Sequence, residues 1–179
     1  MIIDNFLGDF DSFRAHCDTL NYDGMVNPAD GVFYPGVTID IPQNIKEEVL
    51  RKMGFSSGTI FLRLTLEGFD VPHQAHNDAL MGRIGMILYL TRTAHAGGGT
   101  SFVRHVDEGM ENGPTTVEQE AIWKRDTNIP DKWEITGMAE MKPNRALIFK
   151  TEQMHRAEPP NAFGKTPQDG RLVMVGFFD

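Results

Sequence analysis

The residue pattern changes character at Gly58, and that change limits the possible folds more than any other feature of the chain. From residue 59 to 66 the chain alternates, with Ile60, Leu62, Leu64 and Leu66 on one face and Phe61, Arg63 and Thr65 on the other. A period of two is the signature of an extended strand with one buried face. Further short runs of β type follow at 83–91, 133–141, 142–150 and 171–178. Gly97–Gly99, Gly113-Pro114, Pro143, Pro159-Pro160, Gly164 and Gly170 punctuate them as turns.

Ahead of Gly58 the pattern predicts two short helices. The first covers 11–20, with Asp11 or Ser12 as its cap. The second covers 42–53: Pro42 suits a first turn, Ile45, Val49 and Met53 recur every four residues, and Gly54 ends it. Between them Gly24, Pro28, Gly31, Pro35 and Gly36 predict a loop, with Phe33 and Tyr34 as aromatic anchors. A further short helix is expected at 117–125. Many short strands with helices at one end indicate a mainly β fold with flanking N-terminal helices, a β-sandwich or jelly roll. A doubly wound α/β fold needs strand and helix to alternate, which they do not. With 179 residues the expectation is a single domain. Residues 1–58 form its helical support and 59–179 its β core, with an inserted segment near 104–132.

Charge narrows the classes of function. Seventeen basic against 25 acidic residues leave a net charge of −8, which disfavours a general nucleic-acid binder, because phosphate contacts need clustered Lys and Arg. No apolar run approaches the ~18 residues of a membrane span. The opening six residues carry neither the basic nor the apolar stretch of a secretory leader. Cys17 is the single cysteine, so a disulfide framework and a multi-cysteine zinc site are both excluded. The expected compartment is the reducing cytoplasm.

The sharpest chemical signal is His76-Asn77-Asp78. On an extended chain residues i and i+2 share a face, so an imidazole and a carboxylate would converge on one point. His155, directly after a strand-like run, is the best third ligand. Two histidines and one carboxylate, with other coordination positions open, suit a non-haem Fe(II) site that must admit further ligands. A closed four-ligand zinc site would leave no room. The plain alternative is a polar surface turn, with Asp78 capping a helix.

Several motifs follow in order: Arg83–Thr91 with Tyr89-Leu90; Gly97-Gly-Gly-Thr-Ser-Phe102; Lys142-Pro-Asn-Arg-Ala-Leu-Ile-Phe149; His155-Arg-Ala-Glu-Pro159; and Gly170-Arg-Leu-Val-Met-Val. Over about residues 59–179 the chain resembles the Fe(II)/2-oxoglutarate-dependent dioxygenases, in particular their prolyl-4-hydroxylase-like branch. The resemblance implies a double-stranded β-helix. It implies that His76, Asp78 and His155 hold Fe(II), and that 2-oxoglutarate and O2 are cosubstrates. The far carboxylate of 2-oxoglutarate would meet Arg171, whose planar fork suits a carboxylate, helped by Tyr89. Gly85 and Ile87, on the face of Tyr89, would leave room for a small ligand. The chain departs from the family at three places. The basic residue usually follows the distal His by about ten positions; Lys165 holds that place here, whereas Arg171 opens a strand and is preferred. Asn144-Arg145 stands near where the family often has Gly, and Thr91 replaces an Asn.

Arg63 could contact substrate or support the ligands, and Asn77 and Arg83 could lie near the mouth. His73 reads as a polar mouth residue. His95 and His105 read as solvated loop histidines flanking a glycine turn, and His16 and Cys17 as structural. Trp123 and Trp133 flank a polar insertion that could be a lid or plain surface packing. The reading as a whole is an oxygenase that hydroxylates a C–H bond of a small-molecule or peptide substrate and releases succinate and CO2. Its rivals are a cupin-type metal enzyme without 2-oxoglutarate and a catalytically silent binding module on the same fold.

Overall fold

The computed structural model describes residues 1–26, 31–69 and 71–179; Pro28 of the expected loop lies outside them. The alternating run forms a strand, β5 (Thr59–Thr65), preceded by the two-residue strands β1 (Ile2–Ile3), β2 (Met25–Val26), β3 (Phe33–Tyr34) and β4 (Val37–Thr38). Six longer strands follow: β6 (Ile84–Tyr89), β7 (Gly99–His105), β8 (Trp133–Glu140), β9 (Ala146–Lys150), β10 (His155–Glu158) and β11 (Arg171–Phe178).

Two main antiparallel sheets result, beside a two-stranded β2–β3 sheet. One runs β1-β9-β6-β11-β5-β4 and the other β10-β7-β8. A single bridge, His76 to His155, adds the segment around residue 76 to the free side of β10. The chain therefore crosses between sheets repeatedly: β5, the His76 segment, β6, then β7 and β8, then β9, β10 and β11. This is a double-stranded β-helix, the closed form of a jelly roll.

Three apolar layers follow from the alternation. Ile60, Leu62, Leu64, Met86, Leu88, Leu172 and Met174 point outward from the larger sheet and pack against Phe13, Cys17, Ile45 and Val49 of the helices. Those helices are α1 (Phe10–Cys17) and α2 (Gln43–Met53). Ile87, Tyr89, Leu147, Phe149 and Val173 point inward and meet Ala139 and Met141 between the sheets. Outside the smaller sheet, Ala75, Val103, Met110, Trp133 and Met154 form a third cluster, with Trp123 of α3 (Val117–Asp126) packed on it.

α2 follows its signals: Pro42 sits at the N-cap and Gly54 closes it in the left-handed conformation at φ 77°. α1 starts one residue early and ends three early, with Asp9 rather than Asp11 or Ser12 at its N-cap and no side-chain capping bond. Its Arg14, 2% exposed, pairs with Asp18 at 2.5 Å and donates to Pro167 O at 2.7 Å, tying the helix to the loop before β11. The expected loop at 24–36 holds the β2–β3 hairpin, and Phe33 is exposed rather than an anchor. β7 was not foreseen. Gly99 belongs to this strand: a Cβ there would lie 2.0 Å from Ala139 O, so only glycine fits between the strands. Asn144 explains the family departure. It takes φ 57°, a conformation that asparagine tolerates after glycine, and its amide bonds both Leu7 N and Leu7 O.

Candidate metal centre

The backbone sets the ligands opposite one another. His76 and His155 exchange both hydrogen bonds, His76 N to His155 O at 3.0 Å and His155 N to His76 O at 2.8 Å. Their rings stand 4.5 Å apart between centroids. Asp78 N donates to Thr151 O at 2.8 Å, which ties it to the turn before β10. Asp78 Oδ2 then lies 3.3 Å from His155 Nε2, and Oδ1 lies 3.8 Å from His76 Nε2. One donor atom from each of the three side chains falls within 4.8 Å of the others.

Both imidazoles are oriented from behind. His76 Nδ1 lies 2.9 Å from Gln74 O and His155 Nδ1 lies 2.9 Å from Gln153 O. A carbonyl can only accept, so each Nδ1 carries the proton and each Nε2 presents a lone pair to the centre. Burial, reinforced by His155, lowers the pKa of His76 to about 4. It is therefore neutral at physiological pH, the state a metal ligand requires. For Asp78 burial acts upward. The Arg63 guanidinium, and the His155 and His76 rings whenever they are protonated, outweigh it and hold its pKa below the usual carboxylate range. Two imidazoles and a carboxylate brought together in this way fit a divalent metal with positions left open.

Beyond the ligands, Arg171 opens β11 and points inward. It is 5% exposed. Its Nη2 donates to Gly99 O at 3.3 Å, and among the described residues its Nε has no partner. Burial lowers its pKa to about 10, which leaves the guanidinium charged at neutral pH. Tyr89 lies on the neighbouring strand, diagonal to it on the same inner face, with its hydroxyl 2.9 Å from Thr100 Oγ1 and 3.2 Å from Ala139 O. A buried charged fork with an unused N–H is a ready seat for a carboxylate. Lys165, the alternative, is exposed on the loop before β11.

Other expected residues fall in different places. Arg63 faces inward on β5, in register with Val173. Its guanidinium lies 5.4 Å from the centre of the Tyr34 ring. Asn77 points away from its neighbours: its amide accepts from Ala79 N at 3.1 Å and sits against Gly113. Arg83 is 82% exposed and pairs with Asp179 at 3.9 Å, so it is a surface residue. The room expected over Gly85 is filled by Phe149, whose ring would lie 2.8 Å from a Cβ there and packs on His155 at 4.8 Å. His73 packs on Trp123 at 4.8 Å and His95 stacks on Phe163 at 4.0 Å.

His105 is not a solvated loop residue. It is 0% exposed on β7, and its Nε2 lies 3.0 Å from Asp126 Oδ2. Arg125 donates twice to that carboxylate, at 2.7 and 2.6 Å. This anchors the insertion, which in turn grips the segment before His76. Trp123 Nε1 and Thr127 Oγ1 both donate to Ala75 O, at 2.8 and 2.7 Å, and Gln74 N donates to Asn128 Oδ1 at 2.8 Å. The insertion braces the ligand-bearing segment. A cleft of about 420 Å3, lined by Phe69, Val71, Gln74, Asn128 and Pro160 among others, lies against the same segment but is not lined by any of the three ligands.

A family model described as "Family of unknown function (DUF6445)" matches residues 67–178. The chain belongs to the DUF6445 family. No curated protein matches this DUF6445 chain. Among solved structures it is similar to AviO1 from Streptomyces viridochromogenes Tue57, at 9% identity and a TM-score of 0.48, covering 96% of this chain and 86% of that one. It is also similar to HygX from Streptomyces hygroscopicus, solved with nickel and 2-oxoglutarate bound, at 14% identity and a TM-score of 0.47, covering 98% and 80%. The matched region of the DUF6445 chain contains His76, Asp78, His155, Tyr89 and Arg171, while Arg63 lies outside it. Among the described residues no helix is long and apolar enough to cross a membrane.

Proposed function

We propose that this protein is an Fe(II)- and 2-oxoglutarate-dependent oxygenase that hydroxylates a C–H bond of a small-molecule or peptide substrate, with succinate and CO2 as coproducts. The observation that carries this reading is the pairing of an open His76–Asp78–His155 cluster with a buried guanidinium, Arg171, that has an unpartnered Nε. A metal enzyme that ignored 2-oxoglutarate would have no use for that charge. Fe(II) chelated by 2-oxoglutarate supplies the activation of O2.

The chain's own residues do the rest. His76 and His155 present their Nε2 lone pairs, held by Gln74 O and Gln153 O. Asp78 supplies the anionic ligand. Arg171 takes the far carboxylate of 2-oxoglutarate, with Tyr89 and Thr100 closing that end. Ile87, Leu147, Phe149 and Val173 keep water out of the interior. The ordered motifs support a reading in the prolyl-4-hydroxylase-like branch, and the lone, buried Cys17 supports a reducing cytoplasm.

Metal loading tests the cluster. Anaerobic equilibrium dialysis against Fe(II), read by elemental analysis, should give one equivalent in the wild-type protein. Asp78→Ala should lose that binding while keeping its fold. Full metal retention by Asp78→Ala would remove the triad from the account.

A further inference from the structure

Arg63 is the charge that the proposed reaction does not use. It lies on the interior face of β5, diagonal to Arg171: Val173 opposes Arg63 and Thr65 opposes Arg171. Among the described residues Arg63 makes no hydrogen bond or ion pair. Its recorded neighbour is the face of the Tyr34 ring, at 5.4 Å. Its charge is felt at Asp78, His76 and Arg171, so it lies near both the metal cluster and the proposed 2-oxoglutarate seat.

The charges of the loaded site then fail to cancel. Asp78 and the 2-oxoglutarate dianion together offset the divalent metal and one guanidinium, Arg171. The second guanidinium is left over. Arg63 is half-buried, and a partly desolvated, uncompensated charge is costly unless an anion meets it. The geometry selects the kind of anion. Tyr34 covers one face of the guanidinium through a cation–π contact and leaves its edge free. That edge is a planar fork of N–H donors matched to a carboxylate.

Resting on the oxygenase reading, we propose that Arg63, backed by Tyr34, receives a carboxylate of the primary substrate beside the metal, so that the substrate class is carboxylic acids presenting a single negative group to the barrel. Tyr34 is then a positioning residue acting through Arg63. It reaches the site from the N-terminal hairpin, outside the strands that hold the metal.

The test uses the intact protein loaded anaerobically with Fe(II) and saturating 2-oxoglutarate, in chloride-free buffer of fixed ionic strength. Sodium propionate is the probe and propionamide its uncharged counterpart. Binding is read by calorimetry and by perturbation of the visible absorption of the 2-oxoglutarate chelate. Propionate should bind saturably and propionamide should not. Arg63→Gln should weaken propionate at least tenfold while changing 2-oxoglutarate binding less than threefold. Arg63→Lys, which keeps the charge and loses the fork, should fall between, and Tyr34→Leu should weaken propionate about threefold. These two variants carry the test if Arg63→Gln does not fold.

Equal binding of propionate and propionamide would overturn the proposal, as would propionate binding unchanged by every variant. Displacement of 2-oxoglutarate by propionate, or a 30-fold loss of 2-oxoglutarate affinity in Arg63→Gln, would reassign Arg63 to the cosubstrate. Absence of any 2-oxoglutarate chelate in the wild-type protein would instead overturn the oxygenase reading on which the proposal rests.

Discussion

Replacing Arg171 with methionine should push stability and cosubstrate binding in opposite directions. Arg171 is 5% exposed, makes a single long hydrogen bond of 3.3 Å to Gly99 O, and leaves Nε unpartnered. The ligand-free protein therefore holds a desolvated cation with little to offset it. A methionine of similar length removes that burden, so the ligand-free variant should be more stable by about 1–2 kcal/mol. The same change removes a bidentate charge-assisted contact to a carboxylate, which should cost about 3 kcal/mol of 2-oxoglutarate affinity, or about 150-fold. Urea denaturation with and without 2-oxoglutarate, together with a binding titration of the metal-loaded protein, reads both quantities. A variant less stable by about 2 kcal/mol or more, with 2-oxoglutarate affinity within about threefold of wild type, would refute the reasoning and make Arg171 a structural residue.

Further consequences follow from other parts of the molecule. Lys165→Ala should leave 2-oxoglutarate affinity within about twofold, because Lys165 is exposed outside the barrel; a loss like that of Arg171→Met would reverse the assignment. Asp126→Asn should loosen the inserted segment around α3, because the carboxylate is 1% exposed and serves both His105 and Arg125. Hydrogen exchange should rise at Gln74 and Ala75 with it, and unchanged protection there would show that the insertion does not brace the metal strand. The Arg125 hydrogen bonds hold the Asp126 pKa below the usual carboxylate range, so its stabilising share is present above pH 4 and is lost as pH falls. Acid titration of Asp126→Asn should lack that share. Burial raises the Cys17 thiol to about 12. Below pH 9 both folded and unfolded thiols are protonated. From pH 9 upward the unfolded thiol ionises first, and stability should fall by about 1.4 kcal/mol per pH unit toward pH 12. Cys17→Ala should flatten that slope; an unchanged slope would place its origin elsewhere.

The features legible in the sequence are those that short-range rules encode. The alternation of β5, the Pro42 and Gly54 boundaries of α2, and the His76–Asp78 pair each depend on neighbours a few residues away. The metal cluster was readable because two of its ligands lie two residues apart on one segment and the third opens β10. The features that were not legible depend on partners far along the chain. His105 is buried because an insertion folds back and brings Asp126 to it, which no pattern around His105 announces. The space above Gly85 is filled by Phe149, 64 residues later. Tyr34 sits in a glycine-rich stretch that reads as loop, yet its ring lies on Arg63 in the barrel. β7 escaped notice because Thr100 and Ser101 are polar but buried, one beside Tyr89 and the other on the opposite face.

The central claim is that one cavity holds both a metal and 2-oxoglutarate. Its most direct test is an anaerobic titration of the Fe(II)-loaded protein with 2-oxoglutarate, followed through the weak visible charge-transfer band of the chelate. The account predicts a saturable band that Arg171→Met shifts to far higher 2-oxoglutarate concentrations and Asp78→Ala abolishes. Iron bound in full with no band at any 2-oxoglutarate concentration would contradict it.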